Sequence, residues 1–352
     1  MEKKNRDYSM DLLRIAACFL VVYGHTAVES WYSFPPDSYS WTVLNFIDTF
    51  ARPSIPIFIM ISGYLFLSKE RINYKSLWKN NILHLLVVYA VWILFYAIVY
   101  PGARKSLSDL SAIRDNLFGL HPAFHLWYMR MTINVYVVIP LLWALVRVMD
   151  KKLLRYFLFI FVVFGVIRTT IYDVSYYKSW IHQQIDLFDG MEFVKYTAYF
   201  MLGYFLADPS FSARVSDRAL LVIYLLALIA GAAVNQFISI HAGEAVEALY
   251  NTFSLPVFIE AVCLFLLFRR KLAGYTPSEK TGAWIRRISG STLFVYLVHP
   301  YLINRVQIHF HITTASHNVA YWVLLLAVLI FAFASVIGML LKKIPIINRI
   351  VL

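Results

Sequence analysis

Read for its apolar and polar positions, the chain falls into long apolar stretches parted by short polar ones. Ten stretches stand out, at 10–30, 43–67, 78–100, 125–147, 153–172, 191–207, 219–239, 249–268, 288–311 and 319–341. A helix needs roughly 20 mostly apolar residues to cross a bilayer, and most of the ten meet that length. The sixth is short, and Pro53 and Pro56 break the second. The pattern predicts an all-α, polytopic integral membrane protein with about ten transmembrane helices.

Composition removes the soluble alternatives. Of 352 residues, 60% are hydrophobic and 15% charged, against about 45–50% and about 25% in an average soluble domain. One soluble core of this length cannot bury so much apolar surface. A soluble enzyme, a disordered chain and a disulfide scaffold are excluded. The net charge of +12 would suggest nucleic acid in a soluble protein; here no nucleic-acid partner is expected, because the surplus sits in short loops. Lys3, Lys4 and Arg6, then Lys69, Arg71, Lys75 and Lys79, then Arg147, Lys151, Lys152 and Arg155 fall on one set of connections. So do the clusters at 269–271, 280–287 and 342–349. The alternate set holds only Arg104, Lys105, Arg114 and Lys178. Positive charge marks the cytoplasmic side, so both termini are expected there.

Cys18 and Cys263 both lie in apolar runs, far apart, and build neither a disulfide framework nor a metal site. The basic start reads as an uncleaved first span, because Arg14 interrupts it early and no small-residue cleavage site follows. No internal repeat or linker divides the chain, so residues 1–352 form one domain. The outer stretches around Trp31, Tyr32, Phe34, Tyr39 and Trp41 and around Tyr176, Tyr177 and Trp180 read as an interfacial aromatic belt or a sugar-stacking surface.

Candidate chemistry lies in the charges placed where they are expensive. A charge near the bilayer centre costs at least about 2.5–3.5 kcal/mol on insertion scales. Arg14, Arg52, Arg130, Arg168, Lys195 and Arg305 all fall within spans, as do Asp48, Glu192, Glu260, His25, His84 and His299. Snorkelling explains Arg168, Glu192 and Lys195, near span ends. Arg14 and His25 are 11 residues apart, which on a helix is three turns plus about 20° and a rise of about 16 Å. They therefore share one face of the first span, Arg14 toward the inner end and His25 in the outer half. An arginine suits phosphate or carboxylate, and a histidine suits proton transfer. His125 and His299 also fall in the outer half, and Pro300 frees a backbone carbonyl that a cavity or neighbour must satisfy. The carboxylates lack metal-ligand spacing, and no metal site is expected. The chain carries no Gly-rich phosphate loop, no G-x-S-x-G elbow and no H-E-x-x-H.

Five of these segments together resemble the membrane acyltransferase family 3. The run from Asp11 through Arg14 to His25 is similar to that family's N-terminal signature, and Pro56 to Tyr64, with Ser62, Gly63 and Tyr64, to its second-span motif. His125-Leu-Trp127-Tyr128, Tyr199 to Tyr204 and Thr292 to Pro300 follow in the family's order. Arg52-Pro-Ser-Ile-Pro56 resembles the stand-alone sugar O-acetyltransferases, such as the one acting on enterobacterial common antigen. The resemblance implies an O-acyltransferase of a bacterial inner membrane, with Arg14 and His25 as the key pair. It implies no permanently bound cofactor, acetyl-CoA or another acyl-CoA as co-substrate, and a hydroxyl of an envelope glycan or lipid-linked saccharide as acceptor. Membrane lipids surround it, and a homo-oligomer is allowed. Arg52, Ser62, Tyr64, His125, Trp127, Arg130, Glu260, His299 and Arg305 are then candidates for binding donor or acceptor. Two features depart from the family. Many members carry an R-x-x-R pair after the second span, where this chain has Lys69, Arg71, Lys75 and Lys79; lysine lacks the bidentate fork. Many also continue into an extracytoplasmic domain, and none is expected here. A transporter for a small polar molecule is the competing reading, since buried charges suit one too; the lack of an inverted repeat weighs against it.

Overall fold

The computed structural model describes residues 6–99, 124–175, 192–208, 215–345 and 347. Arg104, Lys105, Arg114, Lys178, the aromatic 176–180 stretch and the Glu192 side chain lie outside them. Every regular element among the described residues is helical. We number them α1 (Tyr8–Val28), α2 (Tyr39–Ala51), α3 (Ser54–Leu67), α4 (Tyr74–Val99), α5 (Trp127–Val148), α6 (Lys151–Val174), α7 (Glu192–Leu206), α8 (Asp217–Ala242), α9 (Leu255–Lys271), α10 (Glu279–Phe310) and α11 (Val319–Leu341). Polar punctuation sets their ends. Asp7, Ser38, Asp150, Ser216, Ser278 and Asn318 each accept a first-turn N–H, which satisfies donors that a helix start leaves orphaned. Gly243, at φ 71°, ends α8 in a left-handed cap.

Seven described stretches are long and apolar enough to cross a membrane: α1, the α2–α3 pair, α4, α5, α6, α8 and α11. The protein is a polytopic helical membrane protein. Three predicted spans fall outside that set. α7 and α9 have 15 and 17 residues, and α10, with 32, is long but studded with polar groups. All three form the interior: Tyr199, Phe200 and Met201 of α7, Ala261 and Phe265 of α9, and Val295 and Leu297 of α10 have no exposed surface. A helix walled by protein need not be apolar all round. The second span breaks once, at Arg52 and Pro53; Pro56 sits in the first turn of α3, where a missing N–H costs nothing.

Two glycines let α3 and α7 touch. A Cβ on Gly63 would run into the Phe200 backbone, and one on Gly203 into the Met60 backbone. Such close backbone contact is how helices associate where no hydrophobic force separates protein from lipid. α1 lies at the centre, packed on α2, α3, α9, α10 and α11. Trp31 and Trp41, read from sequence as interfacial, are fully buried against Tyr250; Tyr32 and Tyr39 are the exposed ones. Lys195, expected to snorkel, is only 4% exposed and sits 5.5 Å over the Phe253 ring.

A polar clasp ties the helix ends around the start of α1. Asp11 accepts from Arg6 at 2.6 and 3.0 Å and from Ser289 at 2.7 Å. Asp7 accepts from Arg269 at 2.9 Å and from the Tyr64 hydroxyl at 3.0 Å. Arg286 donates to the Tyr8 hydroxyl at 2.6 Å. The hydrogen bond to Asp11 holds Arg6 more firmly protonated than an ordinary arginine. Trp143 and Arg147 on α5 donate to the Lys69 carbonyl just past α3.

Candidate active site

Above the clasp, α1 and α10 run in the same direction and meet at three polar levels. The first is Asp11–Ser289. At the second, the Cys18 thiol lies 3.5 Å from the Thr292 carbonyl. At the third, His25 Nδ1 lies 2.6 Å from His299 Nε2, with the two rings stacked at 4.9 Å. His299 has no exposed surface, and its Nδ1 lies 3.2 Å from the Val295 carbonyl of its own helix. His25 is half-buried.

His125 completes the cluster. It sits in the one-turn segment Phe124–Leu126 that leads into α5. Its ring is edge-on to His299 at 5.7 Å, to Tyr96 at 5.0 Å and to Tyr296 at 5.6 Å. The Tyr296 hydroxyl donates to the His125 carbonyl, while Tyr96 donates to the Leu297 carbonyl at 2.7 Å. His125 is 2% exposed, and the Leu297 carbonyl is a backbone acceptor within reach of its ring. Among the described residues, no three His, Cys, Asp or Glu side chains are arranged to hold a metal.

Arg52 flanks this cluster, ion-paired to Asp48 one turn earlier on α2 and placed 4.2 Å over the Tyr250 ring. Its charge acts on His25. The approach is close because Gly24 precedes His25: a Cβ there would meet Ala51 Cβ at 2.8 Å and Asp48 Oδ1 at 3.5 Å.

Arg14 lies on the same side of α1, facing α5. Its charge acts on Tyr128, Tyr136 and Lys342, and Ser62 is hydrogen-bonded to Tyr136 beside it. No carboxylate pairs with Arg14 among the described residues. Arg130 is likewise without an ion pair there. With Trp127, Tyr89 and Asn134 it lines a cavity of about 590 Å³ between α4, α5 and α7.

Three candidates stand elsewhere. Tyr64 is bound into the clasp through Asp7, with Arg269 5.0 Å over its ring. Arg305 caps α4, donating to the Val99 carbonyl at 2.8 Å. Glu260 has no exposed surface, and both its oxygens are unpartnered; it faces Tyr224 and Cys263 between α8 and α9. Among the described residues it pairs with neither an arginine nor a histidine. Reasoning from sequence overlooked Tyr96, Tyr296, Tyr136 and Lys342. Tyr296 had a usable signal, since it is three residues before His299 and so on the same helix face.

Among the described residues, a helical membrane bundle gathers His25, His125 and His299 from three elements and leaves Arg14 of its central helix without an ion pair, and such intramembrane polar groups are the usual marks of a functional site. The chain is a member of acyltransferase family 3: residues 7–342 match its acyltransferase domain. An amino-acid racemase of Enterococcus faecalis is 24% identical over 318 residues, covering 85% of this chain and 41% of that protein. The chain thus spans less than half the length of that relative. No solved structure matches.

Proposed function

We propose that this protein is an O-acyltransferase of a bacterial inner membrane, moving an acyl group, acetyl first among candidates, from acyl-CoA to a hydroxyl of an envelope glycan or glycolipid. The observation that carries this reading is the pairing on one helix of an uncompensated arginine with a histidine held in a polar cluster. Acyl-CoA has anionic phosphates at one end of a long arm and a thioester at the other. Arg14 and Lys342 suit the phosphates, and His25, about 16 Å further along α1, suits the thioester end. Donor entry is then from the cytoplasm, where the basic loops lie. The acceptor reaches the histidine end from outside, with His125 and the tyrosines around it as contacts.

His25 acts as general base. It takes the proton of the acceptor hydroxyl as that oxygen attacks the thioester carbonyl. The carbon–sulfur bond breaks, the CoA thiolate leaves, and the proton on His25 passes to it. The products are an O-acyl ester and free CoA. Arg130 and Trp127, in their cavity, are contacts for the donor arm or a lipid-linked acceptor. The racemase name belongs to a longer protein, of which this chain matches a part.

The test uses membrane vesicles bearing the protein, given acetyl-CoA labelled in the acetyl group. Label released from the glycan fraction by mild base supports O-acylation. Label that crosses into the vesicle lumen with no ester formed favours transport instead.

A further inference from the structure

We propose that His299 and Pro300 together fix which nitrogen of His25 serves as the base. The proposal rests on the reading of His25 as general base and adds a positioning residue to it.

The argument begins in the backbone of α10. Each helical N–H donates to the carbonyl four residues back. Residue 300 is a proline inside the helix, so the Tyr296 carbonyl lacks its helical donor. A buried carbonyl must find another partner. The His299 ring is the donor at hand. Its Nδ1 lies 3.2 Å from the Val295 carbonyl, and the Tyr296 carbonyl is a second acceptor within its reach. Carbonyls only accept, so His299 Nδ1 carries the hydrogen. Neutral imidazole has one N–H and one lone pair, which leaves His299 Nε2 as an acceptor.

That acceptor lies 2.6 Å from His25 Nδ1. His25 Nδ1 therefore carries the hydrogen and donates to it. By the same count, the lone pair of neutral His25 is on Nε2, the nitrogen with no hydrogen bond to a described residue. A base with its lone pair on the inward nitrogen would be useless to a substrate. The chain from the Tyr296 and Val295 carbonyls through His299 prevents that. When Nε2 takes the acceptor proton, His25 becomes an imidazolium whose Nδ1–H is already met by a lone pair. His299 has no exposed surface, so it touches no substrate and acts only through His25.

The full-length protein in detergent, with ring-labelled histidine, gives the direct test. Nitrogen NMR distinguishes the two neutral tautomers, and a His25→Ala sample assigns the signals. Wild type is expected to show His25 as a single Nδ1–H tautomer. In His299→Leu, a second His25 tautomer should appear and kcat for acetyl-CoA turnover should fall more than about tenfold, with donor KM nearly unchanged. His299→Gln offers an amide oxygen to the same N–H and should retain more kcat than the leucine variant. Pro300→Ala returns an N–H to the Tyr296 carbonyl and should also admit the second tautomer.

An Nε2–H tautomer in wild type would overturn the proposal, and that result needs no variant to fold. So would a His299→Leu protein with the wild-type tautomer and kcat. A wild-type spectrum in Pro300→Ala would remove the proline from the device. Wild-type turnover in His25→Ala would instead defeat the general-base reading, while the spectrum still decides the direction of the hydrogen bond.

Discussion

At the start of α1, Asp7 and Asp11 are each met by an arginine and a hydroxyl from elsewhere in the chain. One turn further along, Arg14 has no carboxylate at all among the described residues, and near the far end of the helix His25 meets the buried His299. Both regions lie on one helix and within one bundle, so the contrast concerns use rather than location. Paired charges draw helix ends together and are finished when folding is finished. An arginine left unpaired in a membrane protein carries a standing cost, because a guanidinium cannot shed its proton to escape burial. That cost is tolerable if a ligand supplies the missing anion. A carboxyl differs, since it can avoid the cost by keeping its proton. For this reason the unpaired Glu260 is a weaker sign of function than the unpaired Arg14.

The largest effect should come at the histidine end. His25→Ala is expected to lower acyl transfer by about 10²–10⁴-fold, the usual worth of a general base, with the protein still folded and inserted in the membrane. Arg14→Ala should weaken donor binding by about 10–100-fold, equivalent to losing one charge-assisted hydrogen bond; isothermal titration with acetyl-CoA reads this directly. A normal donor affinity in that variant would erase the distinction between the two regions. At the clasp the effects should fall on stability instead. Asp11→Ala strands Arg6 and Ser289 and should cost about 1–3 kcal/mol, seen as earlier thermal unfolding, with donor affinity unaltered. Glu260→Gln is the smallest change, expected within about 0.5 kcal/mol in stability and without effect on turnover. A loss of turnover there would mean that an unpaired carboxyl in this fold is held for chemistry as well.

The unequal legibility of the site in the sequence has a physical cause. Helical periodicity puts Arg14 and His25 on one face of α1, and the family resemblance singles them out as a pair. Pro300 was readable as a backbone defect needing a partner. That the partner lies within the same residue pair, and that His299 then reaches His25, depends on α1 and α10 meeting 274 residues apart, which no local pattern carries. The ten apolar stretches match the helices well where lipid is the neighbour. They match less well for α7, α9 and α10, because protein surrounds these and relaxes the demand for length and apolarity. α9 starts at Leu255 rather than near 249, where Ser254 and Pro256 form a helix start that hydropathy does not register. Tyr64 stands among the candidates through the family's second-span motif and Arg305 as a charge within a span. Their partners, Asp7 and the Val99 carbonyl, are far away in sequence.

The central claim is a division of labour along α1, with Arg14 holding the donor and His25 performing the proton transfer. It is tested most directly by measuring, on purified wild type, His25→Ala and Arg14→Ala, both acetyl-CoA binding and slow release of free CoA. The account predicts that His25→Ala binds as wild type does but releases no CoA, while Arg14→Ala binds weakly. Release of CoA by His25→Ala at the wild-type rate, or no binding of acetyl-CoA to wild type, would contradict it.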